Sequence, residues 1–127
     1  MIRARSLILA AACLSLLCMA DWPGFRGPSR QGVAQGSQIP ETLAWSADVA
    51  GEGWSSPIIS GKRVFLTTAT EEGRSCRLAA FDLDSGKQLW DVEVTRQTPR
   101  RKEKKNSYAT PTPATGCCAA SISWPTR

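Results

Sequence analysis

Apolar and polar residues alternate with a period of two over several short stretches of this chain, a spacing that sends successive side chains to opposite faces of a strand. Leu43, Trp45, Ala47 and Val49 alternate with Ala44, Ser46 and Asp48, which predicts a half-buried strand. Four further strand candidates follow between Trp54 and Val94. Residues 55–59 form the first, and Gly61-Lys62 supplies a two-residue hairpin into 63–68. Glu71-Glu72-Gly73-Arg74 turns the chain into 76–82, and Asp84-Ser85-Gly86-Lys87 turns it again into 88–94. No window carries an apolar period of 3.6 over a helical length. The expected fold class is all-β, built on a four-stranded antiparallel meander.

The flanks have other patterns. Residues 1–20 combine Arg3 and Arg5, an apolar run from Leu7 to Leu17 and small residues before Asp21, the three parts of a secretory leader. The run is shorter than the roughly 20 residues of a transmembrane helix, so cleavage between Ala20 and Asp21 is expected, with no membrane span afterwards. An uncleaved anchor and lipidation at Cys13 or Cys18 are the alternatives. Residues 21–42 hold too much Gly and Pro for regular structure, but Trp22 and Phe25 call for burial, which predicts an ordered loop.

The chain also repeats itself. Trp45-Ser46-Ala47-Asp48-Val49 aligns with Trp90-Asp91-Val92-Glu93-Val94, and Trp54-Ser55-Ser56-Pro57 with Tyr108-Ala109-Thr110-Pro111. The second spacing is longer because of a charged insertion between Thr95 and Ser107. A period of about 40 to 50 residues with four strands per unit suits a β-propeller blade.

At that repeat, Ala80-Phe81-Asp82-Leu83-Asp84-Ser85-Gly86-Lys87-Gln88-Leu89-Trp90 resembles the docking motif A-x-D-x-x-[TS]-G-x-x-x-W of pyrroloquinoline-quinone-like (PQQ-like) β-propellers. Asp21-Trp22-Pro23, Phe25-Arg26-Gly27-Pro28, Gly53-Trp54-Ser55-Ser56-Pro57 and the segment Lys105-Asn106-Ser107-Tyr108-Ala109-Thr110-Pro111-Thr112-Pro113 are similar to exported bacterial, planctomycete-like members. The resemblance implies that Trp90 stacks on Ala80 and a neighbouring blade, that Asp82 and Ser85 lock the turn, and that Gly86 takes a positive φ. It further implies a strand of a closing blade at 43–53, a complete blade at 54–95, an interblade loop at 96–107 and the start of another blade at 108–127. After Pro113 the residues leave the repeat pattern, and Cys117-Cys118 falls in that stretch. The expectation is an N-terminal fragment of a longer propeller with a truncated or frameshifted tail.

Charge and chemistry change this picture little. Lys+Arg total 16 against 11 Asp+Glu, a formal +5, yet residues 21–95 hold seven basic and ten acidic residues. The excess lies in the leader, in Arg127 and in the run 96–105, which has no interleaved aromatics to stack on bases. It reads as a solvated loop, and no nucleic-acid partner is expected. The chain has no His, which removes Ser-His and Cys-His catalysis. Removing the leader takes two of the five Cys, and Cys76, Cys117 and Cys118 make no disulfide framework. Cys76 is expected in the core, Glu71-Glu72 at a solvated turn, and Ser55-Ser56 without a base.

The expected function is that of an exported, periplasmic or extracellular repeat module. It would be non-catalytic, with no cofactor, and would engage other blades, protein partners at the envelope or further copies of itself. Relatives implied by the resemblance include the lipoprotein propeller of the outer-membrane barrel-assembly machinery. The alternative is part of a quinone-dependent dehydrogenase, in which adjacent cysteines such as Cys117-Cys118 would pack on PQQ beside calcium.

Overall fold

The computed structural model describes residues 22–34, 40–98, 106–115 and the backbone of 120–121. Within them the protein is all-β. Four antiparallel strands lie in the order β1 (Ile58–Ser60), β2 (Arg63–Thr70), β3 (Ser75–Asp82) and β4 (Gln88–Arg96). Gly61-Lys62 closes the first hairpin, with Ser60 opposite Arg63. A single 3-10 turn, Glu71–Gly73, joins β2 to β3.

Both faces of this sheet are apolar. Ile58, Phe65, Leu78 and Ala80 form a cluster on one side. Val64, Ala79 and Phe81 form another on the opposite side, with Trp45, Ile59, Leu66 and Leu83 packed over it. Burial on two sides explains why Leu78-Ala79-Ala80-Phe81 is continuously apolar, where a one-sided strand would alternate. Cys76 is a free thiol buried in β3, and its desolvation holds the pKa above the ordinary thiol value.

The outer strand differs from the inner ones. Leu89, Trp90, Val92 and Val94 of β4 are 37–47% exposed. Pairing with β3 skips Leu89 and Val94, so β4 carries two bulges. Such bulges twist an edge strand away from straight pairing with another chain. The β1 edge is covered instead: Trp22 and Ile59 exchange both backbone hydrogen bonds, at 3.1 and 2.9 Å.

Three expectations are corrected. The first strand does not run through 55–59. Six steps from Glu52, which bridges Ala69, to Ile58 oppose only four from Ala69 to Phe65. Pro57 has no N–H for a ladder, and Ser55 Oγ takes over, accepting from Thr67 N at 3.1 Å and donating to Thr67 O at 3.2 Å. Residues 43–49 form no strand despite their alternation, because no ladder partner lies beside them among the described residues, and Leu43 is 81% exposed. The last strand extends to Arg96, which the expected loop had claimed, because Arg96 is held by Glu71 at 2.9 and 3.0 Å.

Beyond Pro113 a short ladder survives where the sequence pattern breaks. Ala114–Thr115 (β5) pairs antiparallel with Ala120–Ser121 (β6), and Thr115 N donates to Pro23 O at 2.8 Å. The segment before it lies along residues 54–56 and β2: Trp54 N donates to Ala109 O at 3.0 Å, Ser56 N to Thr112 Oγ1 at 3.2 Å, and Thr67 Oγ1 to Pro111 O at 2.7 Å.

Thr68 Oγ1 is the one buried side-chain oxygen or nitrogen without a hydrogen bond among the described residues. Thr68→Val deletes that unsatisfied hydroxyl and is expected to raise unfolding free energy by about 1 kcal/mol, read from the urea midpoint. A loss of stability would mean that the hydroxyl is satisfied in solution.

Candidate functional site

The turn between β3 and β4 gathers most of the residues the sequence singled out. Asp82 Oδ1 accepts from Ser85 N at 2.8 Å and from Ser85 Oγ at 2.7 Å. Gly86 N donates to Asp82 O at 2.9 Å, and Asp82 N to Lys87 O at 2.9 Å. This geometry needs a left-handed residue, and Gly86 supplies it at φ 70. Leu83 N donates to Lys62 O at 3.0 Å, which ties the turn to the first hairpin. The exposed Lys62–Asp84 pair at 2.9 Å joins the same two loops, with a small energetic effect.

Trp45 completes this site. Its indole N–H donates to Leu83 O at 2.9 Å, and its ring lies over Gly86 so closely that a Cβ there would collide with it. The body of the ring rests against the Val64, Ala79 and Phe81 cluster. An aromatic from outside the sheet is thus anchored by one directed bond, one glycine face and an apolar bed. The sequence had singled out Trp90 and not Trp45. The repeat alignment was the available signal, since it places the two tryptophans at equivalent positions.

Trp90 sits directly across the ladder from Ala80, which is fully buried, and its ring lies 5.9 Å from Phe65 at 50°. Its indole N–H has no acceptor among the described residues, and the side chain stays 37% exposed. Val92 follows two residues later at 46%. Of the two tryptophans that the sequence alignment pairs, the partly buried Trp45 makes an indole hydrogen bond to Leu83 O, and Trp90 makes a ring contact with Phe65 and is 37% exposed.

The acidic residues serve structure. Arg77 Nε donates to Asp91 Oδ1 at 2.9 Å in a half-buried pair, and Arg96 bridges Glu71 and Glu93. Glu71 is gripped by Arg96, and the Ser85 hydroxyl holds the Asp82 carboxyl below its ordinary value. Ser75, which hydrogen-bonds Glu93, does the same for that carboxyl.

Because both folded-state values are depressed, the stability they contribute is present above the ordinary carboxylate values of 3.8 and 4.5 and lost as pH falls through the folded ones. Melting temperature is expected to fall on acidification below about pH 4.5, and Asp82→Asn to flatten that slope. An unchanged slope in the variant would remove Asp82 from the account.

Among the described residues, no three His, Cys, Asp or Glu side chains converge into a metal cradle. A shallow groove is lined by Ser60, Gly61, Lys62, Arg63, Asp82 and Leu89, but Lys62 is engaged by Asp84 and Asp82 by Ser85. No helix among the described residues is long and apolar enough to cross a membrane. Ala20 and Asp21, Cys13 and Cys18, the run 99–105, and Cys117 and Cys118 lie outside the described residues. No protein-family model, curated protein or solved structure matches the chain.

Proposed function

We propose that this chain is an exported, non-catalytic repeat module of the PQQ-like β-propeller type. Its four-stranded sheet is one blade, and its work is to present blade surfaces to neighbouring blades or to protein partners at the cell envelope. One observation carries the reading: Trp45 is seated on Gly86 and Leu83 O, while Trp90, at the same place in the repeat, is left open beside Phe65. A repeat whose last-strand tryptophan docks on the following unit would have this asymmetry, since each unit both receives a tryptophan and offers one.

The two-sided burial supports the same reading. A lone sheet with apolar clusters on both faces has no stable way to present either to water, and stacked repeats bury them against neighbours. In this chain, Trp45 covers part of one face and residues 106–113 part of the other. The docking motif Ala80, Asp82, Ser85, Gly86 and Trp90 then builds the seam between units and holds no substrate.

Export is tested by expressing the full chain with its leader in a Gram-negative host. The account expects the protein in the periplasmic fraction with Asp21 at its N-terminus by mass spectrometry. Recovery in the cytosol with Met1 retained would overturn export. In the same preparation, added PQQ and Ca²⁺ are expected to leave the absorption spectrum a sum of its parts. Dye reduction on adding an alcohol would overturn the non-catalytic reading.

A further inference from the structure

The β2–β3 turn at the opposite end of β3 carries a second aromatic–glycine contact. Gly73 has φ 89, and a Cβ built on it would collide with Cδ1 and Cγ of Tyr108. Tyr108 is held in place locally. Ala109 N donates to Ser107 Oγ at 3.1 Å, Thr110 Oγ1 donates to Ser107 O at 3.0 Å, and Ala109 is fully buried. In the repeat alignment, Tyr108 occupies the position of Trp54. The two positions lie side by side, joined by the Trp54 N to Ala109 O bond at 3.0 Å. Yet Trp54 is 59% exposed.

The sheet therefore has two seats of opposite sense. Gly86 receives an aromatic from the segment before the blade, and Gly73 receives one from the segment after it. Trp45 comes over the face of Val64 and Phe81. The segment bearing Tyr108 reaches the other face, where Pro111 O meets Thr67. We infer that Trp54 is itself a docking residue, and that its seat is a positive-φ glycine in the β2–β3 turn of a neighbouring unit of the same repeat.

The inference rests on the repeat-unit reading and adds to it a second latch of reversed direction. The partner is defined by its chemistry. It must offer a turn residue without Cβ, so that a flat ring can approach its Cα, and that turn must lack an aromatic cover of its own. Two latches at opposite ends of β3, on opposite faces, would fix both the spacing and the tilt of adjacent units. A single latch would leave the tilt free.

In the wild-type chain Gly73 is already covered by Tyr108, so a second copy has no vacant seat to offer. Tyr108→Ala vacates one. Sedimentation equilibrium of the full-length variant is expected to show self-association at least about tenfold tighter than wild type, and Trp54→Ala in the same background to restore the wild-type value. Association equal to wild type, or undiminished by Trp54→Ala, overturns the inference. Slow exchange of the Trp45 indole N–H reports that the sheet is intact. If it is lost in Tyr108→Ala, the same comparison is made with Tyr108→Leu, which cannot lie flat over the glycine. If Trp45 is protected and Trp54 has no effect, the second latch alone fails. If the Trp45 indole exchanges freely in the wild type, the repeat-unit reading fails first.

Discussion

Gly86→Ala is expected to lower the unfolding free energy by about 3 kcal/mol or more. Two independent terms add. A non-glycine residue at φ 70 costs about 1 to 2 kcal/mol. The new Cβ also falls within the Trp45 ring, and relieving that overlap costs about 1 to 3 kcal/mol. Either the ring leaves, giving up its bond to Leu83 O, or the turn distorts and strains the Asp82–Ser85 lock. Trp45→Ala alone is expected to cost about 3 kcal/mol through lost packing on Val64, Ala79 and Phe81. The double variant should cost less than the sum of the two, because the overlap term disappears once the ring is gone. Strict additivity, measured by urea unfolding, would show that Trp45 does not rest on Gly86 in solution. Trp90→Ala, at the equivalent but open position, is expected to stay within about 1 kcal/mol of wild type.

Phe81→Ala is expected to cost about 3 to 5 kcal/mol. Phe81 is 2% exposed and lies in the cluster beneath Trp45, so its removal opens a cavity on the face that the docked indole covers. Against a typical total of about 5 to 15 kcal/mol for a domain, that loss brings the sheet close to unfolding at room temperature. Phe65→Ala should cost less, because Phe65 faces the half-open side beside Trp90 and its site can collapse or hydrate. Thermal melts followed in the near-ultraviolet distinguish the two. Equal losses would mean that the Trp90 face is as closed as the Trp45 face.

The contrast between these faces also explains what could be read from the sequence. Residues 63–68, 76–82 and 88–94 were legible as strands because each is bounded by a turn with strong local chemistry, Gly61-Lys62, Glu71–Gly73 or Asp84–Gly86. The motif turn was legible for the same reason: its bonds run between residues three apart. Alternation alone misled at 43–49, where the pattern says that one face is buried but cannot say whether a ladder partner exists. Pro57 broke the first strand through a missing donor, and Ser55 repaired it with a side chain, an exchange invisible to periodicity. The seating of Trp45 on Gly86 and of Tyr108 on Gly73 joins residues 35 or more positions apart. Only the repeat pointed towards them, by marking Trp45 with Trp90 and Tyr108 with Trp54.

The claim that the sheet is one unit of a docking repeat predicts a definite difference between equivalent tryptophans, and hydrogen exchange of the indole N–H groups measures it directly. In the full-length protein, the Trp45 indole N–H, bonded to Leu83 O, is expected to exchange at least about tenfold more slowly than that of Trp90. Equal rates, or slower exchange at Trp90, would contradict the account.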